Sequence, residues 1–510
     1  MINKIVERVQ GLFRGKEDLD LTGGPVAENL LYLAIPIVLI NLLQTAYNLG
    51  DTFWLGQFSK EALAAISFAF PLVFFLISLG MGLSVAGNVL VSQFEGSGKG
   101  KERDYAASQT ITFSLIASII LGAIGYFVMP NIVDLFGAKA AVAASATSYM
   151  QIISLGLFFM FGFAVFMSLM RGYGDVVTPM LIMLGTVILN IALDPFLING
   201  WAMFPQMGVA GAAIATIFSR ALALAAGLYV LFTGKRGIKI RLENMVPDFS
   251  FLKRMMGIAA PATLGGVGRS VSVNLLVAVV GNLFGTKVVS GYGIGVRMFS
   301  LIFLPAIAGG WAVSTMTGQN LGAGKPERAE EAANLAAKYM FGILTLIGII
   351  TFIFAAPIAG IFSTNPAVVS VAADFLRWVS LTFGFMGVLR AYTGSFRGAG
   401  NTMTAAAISI TALALVRLPI AYIGSTVFID NGPEAVWIAF AASNLIGGLI
   451  AWLWYRRGTW KESIVDEEKR NQGEVAEEAD DFESTISDHT GKNIKKKLLN
   501  PFNLVKNITP

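Results

Sequence analysis

The octapeptide RGYGDVVT at residues 171–178 returns as RGAGNTMT at 397–404. The shift is 226 residues for Arg171/Arg397, Gly172/Gly398, Gly174/Gly400 and Thr178/Thr404. The same shift pairs Gln93/Gln319, Gly96/Gly322, Gly98/Gly324 and Lys99/Lys325, and a shift of 225 pairs Pro36/Pro261, Glu102/Glu327 and Arg103/Arg328. The order is preserved along nearly the whole apolar part, which marks an internal duplication.

What is duplicated follows from composition. Of 510 residues, 55% are hydrophobic and only 14% charged, with a mean hydropathy of +0.67. A soluble protein carries about 25% charged residues. Walking the chain from residue 28 to residue 455 gives twelve apolar runs, each reaching the roughly 20 residues that a helix needs to cross a bilayer. The expected fold is an all-α polytopic membrane protein of twelve transmembrane helices in two pseudo-symmetric six-helix bundles. Six is even, so both halves start on the same side and form a parallel repeat. The expected divisions are an N-terminal segment (1–24), an N-terminal lobe (25–235), a C-terminal lobe (236–457) and a tail (458–510). Pro36, Pro195, Pro261 and Pro305 fall inside runs and predict bends, since each removes a ladder donor.

Lys and Arg are unevenly distributed. The head, the connections on its side of the membrane and residues 455–461 hold twenty, Arg171 and Arg397 among them. The alternate connections hold only Lys60, Lys139 and Lys287. Both termini are therefore expected in the cytoplasm of a multi-pass plasma-membrane protein. The net charge of +5 reads as membrane orientation, not as nucleic-acid binding. No cleavable signal peptide is expected, because residues 1–24 lack a long enough apolar stretch. Residues 462–491 carry eleven acids and are followed by KNIKKK at 492–497, a composition that predicts a disordered cytoplasmic tail.

Several chemistries are excluded. The chain has no cysteine, and its single histidine, His489, lies in the tail. Disulfides, thiol catalysis, the usual zinc sites and a Ser-His-Asp centre within the apolar part are ruled out. Neither an enzyme nor a bound cofactor is expected.

Acids deep in a span are costly, by about 2.5–3.5 kcal/mol on insertion scales, and so point to function. Two lie well inside: Asp51 and Asp194. Gln44, Tyr47, Asn48 and Asp51 are spaced by three and four residues and form one polar stripe, and Asn190 shares a face with Asp194. Tyr149 falls at a comparable depth. The duplication supplies a control: Asp51, Tyr149, Asn190 and Asp194 align with Leu276, Phe375, Val416 and Ile420. Folding the shared bundle does not require polar groups there. Two carboxylates sharing a low-dielectric site do not both keep their charge cheaply, which suits reversible protonation. Oxygens of Asp51, Asn190 and Asp194 equally suit sodium. The bland alternative is a buried network that only fixes helix packing. In the second half, Arg269, Arg297 and Arg417 are buried bases, read as helix-end caps or snorkelling side chains; anion binding is the sharper alternative. Asp374 is expected to pair with Arg377 one turn on.

The sequence resembles the multidrug and toxic compound extrusion (MATE) family over about residues 25–457. The carriers are AIP at 34–36, NLGDTFWLGQ at 48–57, the paired RGxG motifs, LNIALDP at 189–195 and GAAIAT at 211–216. The likeness is to the prokaryotic branch with its cation site in the N-terminal lobe. It implies a V of two lobes that exports amphipathic organic cations in exchange for protons or sodium by alternating access. It implies that Asp51 is the proton-accepting carboxylate, with Tyr47, Tyr149, Asn190, Asp194 and Thr216 as its network and Pro36 as a bending point. Other branches place acids in the seventh and tenth spans; the matching positions here are Arg269 and Met386. The expected partners are a small organic cation and the bilayer, with no nucleic acid, and the chain is expected to act as a monomer. The alternative function is a flippase for a lipid-linked oligosaccharide or another lipid, for which the three arginines are the hints. A fixed channel is disfavoured, since two pseudo-symmetric bundles suit rocking.

Overall fold

The computed structural model describes residues 20–135, 140–428 and 432–462; the tail, with His489, and both termini lie outside them. The first repeat supplies α1 (Val26–Phe58), α2 (Lys60–Gly96), α3 (Gly100–Leu135), α4 (Ala140–Tyr173), α5 (Val177–Asn199) and α6 (Gly208–Thr233). The second supplies α7 (Phe249–Leu283), α8 (Thr286–Gly322), α9 (Pro326–Ile353) and the short α10 (Ala355–Gly360). It continues with α11 (Pro366–Ser380), α12 (Phe383–Gly398), α13 (Thr402–Ile410), α14 (Leu418–Ile423) and α15 (Glu434–Tyr455). Among the described residues, eleven helical stretches are long and apolar enough to cross a bilayer, and α11 with α12, bent by 54°, makes a twelfth. Large apolar side chains such as Ile119, Phe127, Leu155, Ile188 and Leu346 point outward, where lipid removes the need for a polar shell.

The helices start and stop for local reasons. In the repeated motif, Gly174 and Gly400 have φ of 103° and 86°, a left-handed turn that glycine adopts without strain. The next residue caps the following helix. Asp175 accepts the N–H of Val177 and Thr178 at 3.1 and 2.9 Å and the Thr178 hydroxyl at 2.6 Å. Asn401 accepts the N–H and the hydroxyl of Thr404 at 3.3 and 2.7 Å. The repeated glycine, Asp/Asn and threonine thus encode one turn-and-cap, used twice.

Breaks occur away from the expected prolines. α1, α5, α7 and α8 continue through Pro36, Pro195, Pro261 and Pro305. The tenth span breaks instead between Ser380 and Phe383. The eleventh widens into π turns at Thr411–Arg417 and Gly424–Phe428, on either side of α14. Pro419, just inside α14, has no N–H to return to the carbonyl of Leu415, and a wider turn relieves the clash of its ring with the preceding turn.

The two halves meet near the repeated motifs through reciprocal bonds. Gln93 Nε2 donates to the carbonyl of Gly398 at 3.0 Å. Its repeat partner Gln319 donates to the carbonyls of Gly172 and Tyr173 at 2.9 and 3.0 Å. Approach this close needs glycine: a Cβ at Gly96 would stand 1.9 Å from the Gln319 carbonyl oxygen, and one at Gly322 would stand 2.0 Å from that of Gln93. The chain entering α1 adds to the clasp, because Asn320, Lys325 and Arg328 donate to the carbonyls of Leu21, Thr22 and Gly23. The connection between the halves is strapped to α3, where Gln109 donates to the carbonyls of Asn244 and Val246 at 2.8 and 2.7 Å.

Candidate functional site

Away from the clasp, a cavity of about 580 Å³ lies among α1, α2, α4 and α6, with Arg297 of α8 as its wall from the second half. Tyr47 and Asp51 face it from α1, Tyr149 from α4 and Thr216 from α6. Phe70 and Phe74 of α2 supply an aromatic wall.

The structure brings the six polar residues singled out in the sequence together. Thr216 Oγ1 points at Asp51 Oδ2 at 3.5 Å, and Tyr47 donates to the carbonyl of Thr216 at 3.4 Å. Behind Asp51, Asn190 Nδ2 points at Asp194 Oδ1 at 3.4 Å, one turn along α5. Asp51 and Asp194 lie close enough for each carboxyl to feel the other. Their solvent exposure is 5% and 0%, so neither charge is met by bulk water. Asp51 Oδ1, Asp194 Oδ2 and Asn190 Oδ1 have no hydrogen-bond partner. Three buried acceptor oxygens in this network thus lack a donor or a cation. A proton shared between the carboxyls, or a cation among the oxygens, would satisfy them.

Arg220 is a further residue of this site that the sequence reading passed over. One turn beyond Thr216 on α6 and buried, it donates to Gln44 Oε1 at 2.7 Å and lies 4.8 Å over the Tyr47 ring. Through Gln44, which donates to Asn48 at 3.2 Å, it fixes the polar stripe of α1. An arginine inside an apolar run is as conspicuous as an aspartate, and that was the available signal.

The three bases named in the second half separate. Arg417 is structural: Nε donates to Ser443 at 2.8 Å, Nη2 to Asn444 at 3.2 Å, and its plane lies 4.0 Å from the Phe440 ring centre. Arg269 lines a small cavity, whereas Arg297, expected to be buried, is exposed where it borders the large one. Asp374 pairs with Arg377 at 3.2 Å.

The MatE family profile matches residues 36–196 and 261–423, one stretch in each half. A FAD transporter of Shewanella oneidensis is 29% identical over 439 residues, covering 85% of this chain and 95% of that protein. A probable multidrug resistance protein, YpnP, of Bacillus subtilis is 28% identical over 451 residues, covering 88% and 99%. Among solved structures, a MOP superfamily transporter from Pyrococcus furiosus, described as having a binding pocket of reverse polarity that suggests a different function, superposes with a TM-score of 0.79 at 25% identity over 88% of this chain and all of that one.

Proposed function

The chain belongs to the MatE family: it is a multi-pass transporter of the plasma membrane, of the drug-extrusion kind and not an enzyme, and on that premise we propose that it is a secondary antiporter driven by protons or sodium. The observation that carries this reading is the buried Asp51–Asp194 contact, with three acceptor oxygens unmet and Asp51 on the wall of the large cavity. A proton or sodium ion arriving there cancels the repulsion between the carboxylates and supplies the missing partner. Cargo in the cavity competes for the same side chains, so the two are not accommodated alike in one conformation. That mutual exclusion is the physical content of exchange.

Alternating access is supported by the arrangement of contacts. The halves are clasped by Gln93, Gln319 and the segment before α1 at one end, while the cavity lies in the first half and meets the second at Arg297. Opening the clasp would expose the cavity on the other side. By charge distribution the clasped end, which carries the basic connections, is cytoplasmic, and the chain acts as a monomer with no cofactor. The resemblance implies a cationic cargo; Phe70, Phe74 and Tyr149 would take the flat apolar part of an amphipathic molecule whatever its charge. The test is efflux of a fluorescent dye from vesicles holding the purified chain, under an imposed proton gradient or sodium gradient, each alone. Uphill movement under one of them is expected. Only downhill movement under both would overturn the reading.

A further inference from the structure

A second cavity, of about 100 Å³, adjoins the first across Phe74, which lines both. Its charged lining is of one sign: Arg269 from α7 and Arg390 and Arg397 from α12, with no carboxylate. The three guanidiniums lie close enough to repel one another, and Arg397 also feels Arg171 of α4. Arg171 and Arg397, repeat equivalents from opposite halves, stack on Trp311 at 4.2 and 4.8 Å, and Arg390 stacks on Phe303 at 4.5 Å. The Nε atoms of all four have no hydrogen-bond partner. The lining hydroxyls of Ser78, Thr393, Thr402 and Ser409 donate to backbone carbonyls. The guanidiniums are thus the charged donors left facing the space.

Clustered guanidiniums with no counter-charge inside a membrane protein are expensive, and a fold does not need them for packing, since apolar residues of like volume fill such a space without the penalty. Aromatic stacking orients the guanidiniums but does not neutralise them. What neutralises several at once, and matches their planar donor fork, is a group with several anionic oxygens. The adjoining large cavity adds Arg297 and Arg220 against the one carboxyl of Asp51.

We propose that the arginine cavity binds the phosphate or carboxylate head of an organic anion, whose flat aromatic body extends past Phe74 into the large cavity. The cargo is then a phosphorylated or carboxylated aromatic compound, and the charge implied by the resemblance is reversed. This deepens the antiporter reading and rests on it for the direction of movement, but not for binding. Because the cavity is walled by Ser78, Met81 and Val85 of α2 from the first half and by α7 and α12 from the second, an anion seated there touches both halves.

The test is equilibrium binding to the purified chain in detergent, with no ion gradient. The probes are naphthyl phosphate, uncharged naphthol, tetraphenylphosphonium and decyl phosphate. Naphthyl phosphate is expected to bind at least about tenfold tighter than naphthol or tetraphenylphosphonium, and to lose about tenfold in Arg269→Gln and in Arg390→Gln, as for removal of one charged hydrogen bond. Arg390→Lys should retain part of the loss. Naphthol binding should not change. Both Gln variants remove an uncompensated charge, so the ligand-free protein should unfold at the parent temperature or above it, while its stabilisation by naphthyl phosphate disappears. Tighter binding of decyl phosphate than of naphthyl phosphate would identify a lipid head as the source of the anion. Naphthyl phosphate binding no better than naphthol, or equally well to parent and Gln variants, would overturn the proposal. Binding without any gradient leaves the coupling question separate: dye movement that follows neither gradient sinks the antiporter reading and not the anion site.

Discussion

Replacing Gly96 with alanine should open the clasp between the halves. The added Cβ would meet the Gln319 carbonyl oxygen at 1.9 Å, so the facing backbone must retreat by about 1.5 Å to reach the 3.4 Å of an ordinary contact. The Gln319 amide then leaves the carbonyls of Gly172 and Tyr173, to which it donates at 2.9 and 3.0 Å. Leaving buried polar groups unmet costs about 1–3 kcal/mol each, so the clasped arrangement should lose roughly 2–4 kcal/mol, a shift of about 30- to 900-fold in population. The helix itself is not harmed, since alanine favours it. Glu102 and Glu327 are exposed repeat equivalents on opposite halves, and the chain has no native cysteine. Spin labels at Glu102→Cys and Glu327→Cys therefore report the gap without background. Gly96→Ala should move their distance distribution to longer values. Gly342→Ala, where a Cβ meets nothing within 4 Å, should not. An unchanged distribution in Gly96→Ala would refute the claim that these glycines permit the closed contact.

Other consequences are more local. Arg417→Met should lower the unfolding temperature, by a loss of about 1–3 kcal/mol, because Ser443 and Asn444 lose their charged partner; an unchanged or higher temperature would contradict its structural role. Asp248 begins α7 outside the membrane, and the Tyr105 hydroxyl, first, and the Phe251 N–H hold its carboxyl below the ordinary 3.8. Its contribution should be complete at neutral pH and vanish as pH falls through that lowered value; the stability gap between parent and Asp248→Ala should close only in strong acid, and a gap closing near pH 6 would be the wrong sign. Truncation after Lys461 should leave efflux intact at equal membrane levels, because the duplicated unit ends before it and Lys461 itself pairs with Glu330 at 2.6 Å; lost efflux would give the tail a task.

The duplication was legible because its glycine, Asp/Asn and threonine positions answer to backbone geometry, which both copies need. Asp51 and Asp194 stood out because a buried carboxyl in an apolar run has no packing excuse, and the apolar Leu276 and Ile420 in the twin half removed the alternative that the fold demands one. The arginines were harder. Arg171 and Arg397 sit at helix ends, where a cation normally faces the cytoplasm, and spacing does not reveal that both turn inward onto Trp311. Arg220 and Arg390 gave the same signal as the aspartates but are long side chains, whose heads lie wherever packing leads them. The break of the tenth span at Ser380–Phe383 lacks any proline, so hydropathy and residue type left no trace of it.

The central claim is that the Asp51–Asp194 contact couples ion entry to cargo release. Its most direct test is uphill transport by Asp51→Asn in vesicles, using a dye the parent exports and the driving gradient that the parent obeys. The amide preserves shape and, like a protonated carboxyl, offers both a donor and an acceptor, but it carries no charge to titrate. The variant should bind the dye and let it equilibrate, with no accumulation against its gradient at equal insertion. Accumulation at the parent level by Asp51→Asn would show that the driving ion is bound elsewhere.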